Sequence, residues 1–299
     1  MIFFKNIIKN ILRTVSFHGY RLIYFKSDRT RTGLKTAVKS DFGFWYAGNI
    51  FNSSDLSYGI LNNGAVETEE TQLVLKILKE IFKKQGRLRF FDIGANTGYY
   101  GILAGYMFKD KDIKVFSFEP VKEFFDCLVE SVNLNRLENN FKIFNLALSS
   151  TRGPARINLS GSGTSLESAF NGRAELEKRE VNLETLDNLF AGRKIEAPDF
   201  IKIDVEGHEL EVLKGGADLI SSSRPVIFLE IARKMEVRGY INSNYAATLR
   251  VLEKFGYEIY LFKDGVLEPA AAEADLDGVF MYLCLAAARH AGIKKILEI

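Results

Sequence analysis

The chain has 299 residues, 47% hydrophobic and 26% charged, which suits a folded chain with a sizeable core and excludes a mainly disordered one. Two cysteines and three histidines exclude a disulfide framework and a zinc finger, and they point to a reducing, cytoplasmic setting. Net charge is +2, yet residues 1–35 hold eight basic side chains against Asp28 alone, a local +7 that leaves −5 for the rest. That slightly acidic body lacks the basic working face of a nucleic-acid-binding domain.

In chain order, the first element is an amphipathic helix. Phe4, Ile7, Ile8, Ile11, Leu12 and Val15 recur at three- and four-residue spacing, with Lys5, Lys9 and Arg13 on another face. Lysines break the apolar run and no small-residue cleavage site follows, so it does not read as a secretory signal. Two roles stay open for residues 1–30. The helix packs on its own domain or on a second copy in a homo-oligomer, or it lies peripherally on a membrane with its basic face on anionic headgroups. Residues 36–70 read as irregular, and the organisation expected is an arm with an irregular segment over 1–65 and a main domain over 66–299. The longest apolar run, Val279–Ala288, has ten residues, against the roughly 20 of a spanning helix.

Helical spacing appears over Glu67–Lys84. Short apolar runs then alternate with helix-like stretches at Thr97–Met107 and Val121–Asn133. The runs are Leu88–Ile93, Val115–Phe118, Lys142–Leu146, Phe200–Val205, Val226–Ile231, Tyr257–Phe262 and Phe280–Leu285. This rhythm predicts an α/β fold with a mostly parallel sheet covered by helices on both faces. The last two runs, with the turn signal Asp264-Gly265 between them, read as an antiparallel hairpin at the edge. Residues 149–180 break the rhythm. They hold a possible strand, Arg156–Leu159, and the flexible Gly161–Ser165, which suggests a mobile lid between core strands.

Three motifs carry chemistry. The first is Asp92-Ile93-Gly94-Ala95-Asn96-Thr97-Gly98, a strand ending in an acid, then a glycine turn, then a helix. Its spacing differs from the Gly-x-Gly-x-x-Gly of dinucleotide sites, and the acid disfavours a pyrophosphate while favouring a cationic ligand. The second is Phe118-Glu119-Pro120. Glu119 lies 25 residues after Gly94, near the distance at which an acid hydrogen-bonds ribose hydroxyls. S-Adenosylmethionine offers both a ribose and a positive group. The third is Lys202-Ile203-Asp204-Val205-Glu206-Gly207-His208. Lys202 and Asp204 share one strand face, and a lysine inside a central strand needs a carboxylate partner, with Glu230 on the next strand as a second candidate.

These segments resemble FkbM-type S-adenosylmethionine-dependent methyltransferases. The resemblance also takes in Asn145-Leu146-Ala147-Leu148-Ser149, Leu183-Glu184-Thr185-Leu186-Asp187, Leu213-Lys214-Gly215-Gly216 and Arg224-Pro225, and covers roughly residues 88–232. It implies a Rossmann-like, class I seven-stranded sheet with an antiparallel edge strand. It also implies O-methylation, often of a sugar or secondary-metabolite hydroxyl. By position it puts Asp92, Gly94, Asn96, Gly98, Glu119 and Ala147 on the cofactor, with Asp92 near the methionine amino group and Ala147 beside the adenine. Lys202, Asp204, Glu206 and His208 fall on the catalytic rim. Asp204 or His208 is then the candidate base. Alternatively, Asp204 and Glu230 hold a divalent metal that acidifies the hydroxyl. Two other classes remain: a nicotinamide-dependent oxidoreductase, which the loop spacing disfavours, and a non-catalytic module that keeps the fold and uses the basic arm to recruit partners.

Overall fold

Apolar side chains at alternating and helical spacing become strands and helices in the computed structural model, which describes residues 23–27, 34–49, 55–158, 178–235, 240–270 and 277–299. The amphipathic arm, most of the stretch before residue 34 and the Gly161–Ser165 loop lie outside the described residues.

A small antiparallel sheet comes first: β1 (Ile23–Ser27), β2 (Leu34–Lys39) and β3 (Trp45–Gly48). Helices α1 (Leu56–Asn63) and α2 (Thr68–Gln85) follow. Residues 36–70 are therefore not irregular, as their scattered Gly, Asn and Ser suggested. The reason is tertiary. Val38, Phe44, Tyr46 and Ile60 join the same apolar cluster as Phe90, Val115 and Phe200. Strand β3 is also fixed from outside its own sheet, because Asn135 accepts from the Trp45 amide and donates to the Trp45 carbonyl, while Ser131 accepts from the Ala47 amide.

The main sheet then builds up through β4 (Leu88–Ile93), α3 (Tyr99–Met107), β5 (Ile113–Phe118), α4 (Lys122–Asn135) and β6 (Phe141–Phe144). A side sheet interrupts it, made of β7 (Ala147–Leu148), β8 (Gly153–Asn158) and β9 (Lys178–Glu184), and α5 (Leu186–Ala191) comes next. The second half runs β10 (Phe200–Ile203), α6 (Glu209–Gly215), α7 (Ala217–Ser223), β11 (Val226–Met235), β12 (Tyr240–Ile241) and α8 (Tyr245–Lys254). It ends with β13 (Tyr257–Lys263), β14 (Val266–Pro269), β15 (Gly278–Ala286) and α9 (Ala291–Leu297).

The main sheet has the order β14-β13-β15-β11-β10-β4-β5-β6, an α/β arrangement in which all seven expected runs form strands. Strands β11, β10, β4, β5 and β6 are parallel. The C-terminal part differs in detail from the expected hairpin. Strand β15 inserts between β11 and β13, antiparallel to both, and Asp264-Gly265 turns β13 into β14, which is the antiparallel edge.

Alternation along each central strand feeds two cores. Leu88 and Phe90 pack on one face with Phe200 and Phe228. Phe91 and Ile93 pack on the other with Ile201, Ile203 and Ile227. Asp92 and Lys202 share the first face, side by side in register. Chain order reverses direction between β4 and β10, since β5 and β6 lie on one side of β4, and β10 and β11 on the other. A crevice at the carboxyl ends of such strands is where α/β sheets bind ligands. Among the described residues no helix is long and apolar enough to cross a membrane.

Candidate active site

The glycine turn after β4 is pinned on three sides. The amides of Gly94 and Ala95 both donate to the Phe118 carbonyl, at 3.1 and 3.0 Å. Gly94 has φ +73°, and a Cβ there would stand 1.8 Å from the Asp204 carbonyl oxygen. Gly98 has φ +90°, and a Cβ would meet Leu128 at 2.2 Å. Both positions require glycine, for backbone angle and for space. Thr97, in the turn, hydrogen-bonds Tyr46 of β3.

Glu119, at the tip of β5, is 4% exposed. Its carboxylate accepts from the Asn96 amide at 2.8 Å and the Val121 amide at 2.7 Å. Burial nevertheless pushes its pKa up to about 7, against those two amides. It opens into a cavity walled by Gly94, Asn96, Phe118, Phe124, Ala147 and Ile157, with Asp204, Glu206 and His208 on the far side. His208 bonds Ser149 through Nε2, at 3.0 Å, and belongs to this cavity. It does not line the acidic cavity described next, so the structure separates it from Lys202 although only five residues lie between them in the chain. Ala147, brought in by the short strand β7, lines the same wall.

A second cavity adjoins the first and shares Gly94, Asn96, Asp204 and Glu206 with it. Asp92, Lys202 and Glu230 come from three adjacent strands, the first two near their carboxyl ends and Glu230 midway along β11, and Tyr99 and Tyr100 from the start of α3. Leu56, Val66 and Glu67 come from the N-terminal segment. Lys202 is 3% exposed. It donates to Asp204 Oδ2 at 2.7 Å, and its ammonium sits 4.9 Å from the centre of the Tyr100 ring. Burial works against that charge, but Asp204, Glu67, Glu230 and Asp92 surround it and hold its pKa above the ordinary value. Burial pushes Asp92 up to about 7, with Lys202 and the Gly101 amide opposing the rise. Burial also pushes Glu230 well up, helped by the charge of Asp204.

The cation beside Asp204 and Glu230 is thus the chain's own lysine. Among the described residues no group of three or more His, Cys, Asp or Glu side chains is arranged to hold a metal ion.

Five of the six expected cofactor residues line the two cavities, Asp92 on the acidic side, Glu119 and Ala147 on the apolar side and Gly94 and Asn96 on both, whereas Gly98 lines neither and stands at the start of α3 with Leu128 against it. Glu67, Tyr100 and Tyr46 were missed. Glu67 read as the first residue of an amphipathic helix, Tyr100 as a helix core position, and Tyr46 as part of an irregular stretch. No local pattern distinguishes them.

The geometry defines an α/β protein with a nucleotide-type cavity and an acidic cavity meeting at one strand crevice. The methyltransferase FkbM domain matches residues 92–259, more than half of the chain, so the chain belongs to that family. It is 30% identical over 159 residues to the hexuronic acid methyltransferase AglP of Haloferax volcanii, covering 52% of this chain and 60% of that protein. It is 30% identical over 154 residues to methyltransferase sdnD of Sordaria araneosa, covering 42% and 58%. The matches therefore span about three fifths of these relatives. A methyltransferase FkbM crystal structure from Methylobacillus flagellatus KT aligns with TM-score 0.43 and 18% identity, over 66% of this chain and 44% of that one.

Proposed function

We propose that the chain is an S-adenosylmethionine-dependent O-methyltransferase acting on a hydroxyl of a sugar, glycan or secondary metabolite. The observation that carries this reading is the shared wall of Gly94, Asn96, Asp204 and Glu206 between the two cavities. One cavity has an apolar lining and the Glu119 carboxylate, which suits a ribose and an adenine. The other has carboxylates around a single ammonium. A ligand lying across the wall places its positive centre beside Asp92 and Asp204. Gly94, with no room for a Cβ against the Asp204 carbonyl, lets the β4 turn and the β10 loop meet to form that wall.

Bound there, S-adenosylmethionine supplies an electrophilic methyl group on a sulfonium. Glu119 holds ribose hydroxyls, and Ala147 and Phe124 flank the adenine. Asp92 takes the methionine end. Asp204 receives the proton of the acceptor hydroxyl. Its Oδ2 is taken by Lys202, which leaves Oδ1 for that role. Lys202 fixes the position of Asp204 through that hydrogen bond, and a base so placed is worth about 10²–10⁴-fold. Glu206 borders both cavities and orients the acceptor. His208, bonded to Ser149, supports the nucleoside side rather than the proton transfer.

Titration calorimetry with S-adenosylmethionine, followed by an S-adenosylhomocysteine-release assay over sugars and glycosides, tests the reading. Micromolar binding and acceptor-dependent release are expected. Binding of NADH with none of S-adenosylmethionine would establish the oxidoreductase alternative instead.

A further inference from the structure

The acidic cavity has a wall that the family domain does not supply. Leu56, Val66 and Glu67 precede residue 92, where the matched span begins. Glu67 stands at the mouth. As a residue it is exposed, while its carboxylate turns inward to accept from the Tyr100 hydroxyl at 2.6 Å. It occupies the N-cap of α2 with φ +45° and makes no capping hydrogen bond there, so its side chain serves the cavity rather than the helix end. The chain Glu67–Tyr100–Lys202–Asp204 then runs from mouth to floor.

Charge decides what fits. Five carboxyl groups line the cavity: Glu67, Asp92, Asp204, Glu206 and Glu230. Lys202 is the one cation among the described lining residues, and it is already committed to Asp204. Burial pushes Glu67 up as it does Asp92 and Glu230, with Lys202 and the Tyr100 hydroxyl opposing the rise, and the five carboxyl groups still outnumber the single ammonium. The positive centre of a bound methyl donor is taken up beside Asp92 and Asp204, so an entering sugar acid meets the remaining carboxyl groups with no lining cation left to pair with. A neutral polyol meets acceptors for its hydroxyl protons, since an ionised carboxylate accepts and never donates. Tyr100 uses Oε2 of Glu67 and leaves Oε1 for such a hydroxyl.

We propose that Glu67 binds the methyl acceptor and that the cavity it guards selects a neutral polyhydroxylated acceptor over an anionic sugar acid, a proposal that rests on the methyl-transfer reading above. This acceptor class differs from the one in the name of the hexuronic acid relative.

The test uses the full chain near pH 8, with paired p-nitrophenyl hexosides and p-nitrophenyl hexuronides. Release of S-adenosylhomocysteine is the readout, and calorimetry with S-adenosylmethionine is run on every variant. Wild type turns over a neutral glycoside about tenfold or more faster than its uronic acid counterpart. Glu67→Gln raises KM for the neutral acceptor about tenfold with cofactor affinity unchanged. Glu67→Arg shifts the neutral-to-acidic preference about tenfold or more toward the hexuronide. Equal or reversed preference in wild type, no turnover of any neutral glycoside, or an unchanged KM in Glu67→Gln overturns the proposal. Should Glu67→Arg fail to fold, the Glu67→Gln result decides. A wild-type chain that does not bind S-adenosylmethionine overturns the methyl-transfer reading itself, which separates the two failures.

Discussion

The two cavities meet at one crevice but are assembled differently. The apolar one is built mostly by consecutive elements, the turn after β4, the tip of β5 and the β6–β7 connection, and is closed by Ile157 of β8 and by Asp204, Glu206 and His208 after β10. Each contributes a residue from a short local motif. The acidic one draws on three adjacent strands, the head of α3 and a segment that precedes the sheet by more than twenty residues. Its chemistry is a network, because Lys202 is tolerated inside a central strand only through carboxylates from four separate elements. The first cavity takes its lining from the main-domain strands and turns, with no residue before Ile93. The second exists only when the N-terminal elements dock.

Four changes test how far this division holds. The largest effect is expected from Asp204→Asn. Loss of the base should lower turnover by about 10²–10⁴-fold, well beyond the loss of S-adenosylmethionine affinity that calorimetry shows for removing one of the two carboxylates beside its positive centre. Near-normal turnover would remove Asp204 as base. Gly94→Ala comes next. Its Cβ falls on the Asp204 carbonyl oxygen, so the wall common to both cavities must shift. Cofactor binding should fall below detection, with stability lowered by about 2–4 kcal/mol in thermal unfolding. A fully stable variant that binds cofactor normally would break the shared-wall account.

Glu119→Gln sharpens the apolar side. It should weaken the cofactor about tenfold through loss of a charged acceptor. It should also change the pH response. Glu119 holds its proton up to about pH 7 in the fold, whereas an unfolded glutamate releases it near about 4.3. Between these values the folded state binds more protons, so its stability falls as pH rises. Wild type should therefore lose stability relative to Glu119→Gln between about pH 4 and 7, measured as the difference between their melting temperatures. Toward the top of that window its cofactor affinity should rise as the carboxylate forms. A parallel pair of melting curves would refute the buried-acid assignment.

The smallest effect is expected from Tyr46→Phe. It removes the hydroxyl that bonds Thr97 in the glycine turn and leaves the Thr97 hydroxyl without that partner. Cofactor affinity should drop about fivefold, in keeping with about 1 kcal/mol for one such bond, and acceptor KM should stay unchanged. No effect on cofactor binding would make the N-terminal sheet a purely structural appendage.

Legibility follows the same line. Gly94, Gly98 and Glu119 were readable because a turn with positive φ and a strand-end acid leave marks within a few residues. The β13–β15 pairing was readable as antiparallel, but not the insertion of β15 between β11 and β13, since strand order depends on which neighbour completes the sheet. Residues 36–70 looked irregular because their strands are only four to six residues long and β3 draws hydrogen bonds from Asn135 and Ser131 rather than from a pattern of its own. His208 belonged to the rim motif by proximity in the chain, yet it bonds Ser149 and lines the cavity of Glu119 and Ala147 rather than that of Lys202.

By itself the amino-acid sequence determined the alternating framework and the acids at strand tips. Those follow from side-chain periodicity and from the few residues that fit a tight turn, and both act over short distances. Only the tertiary structure decided that Glu67 and Tyr100 join Lys202 and Asp204, because burial and charge compensation depend on segments far apart in the chain coming within hydrogen-bond reach.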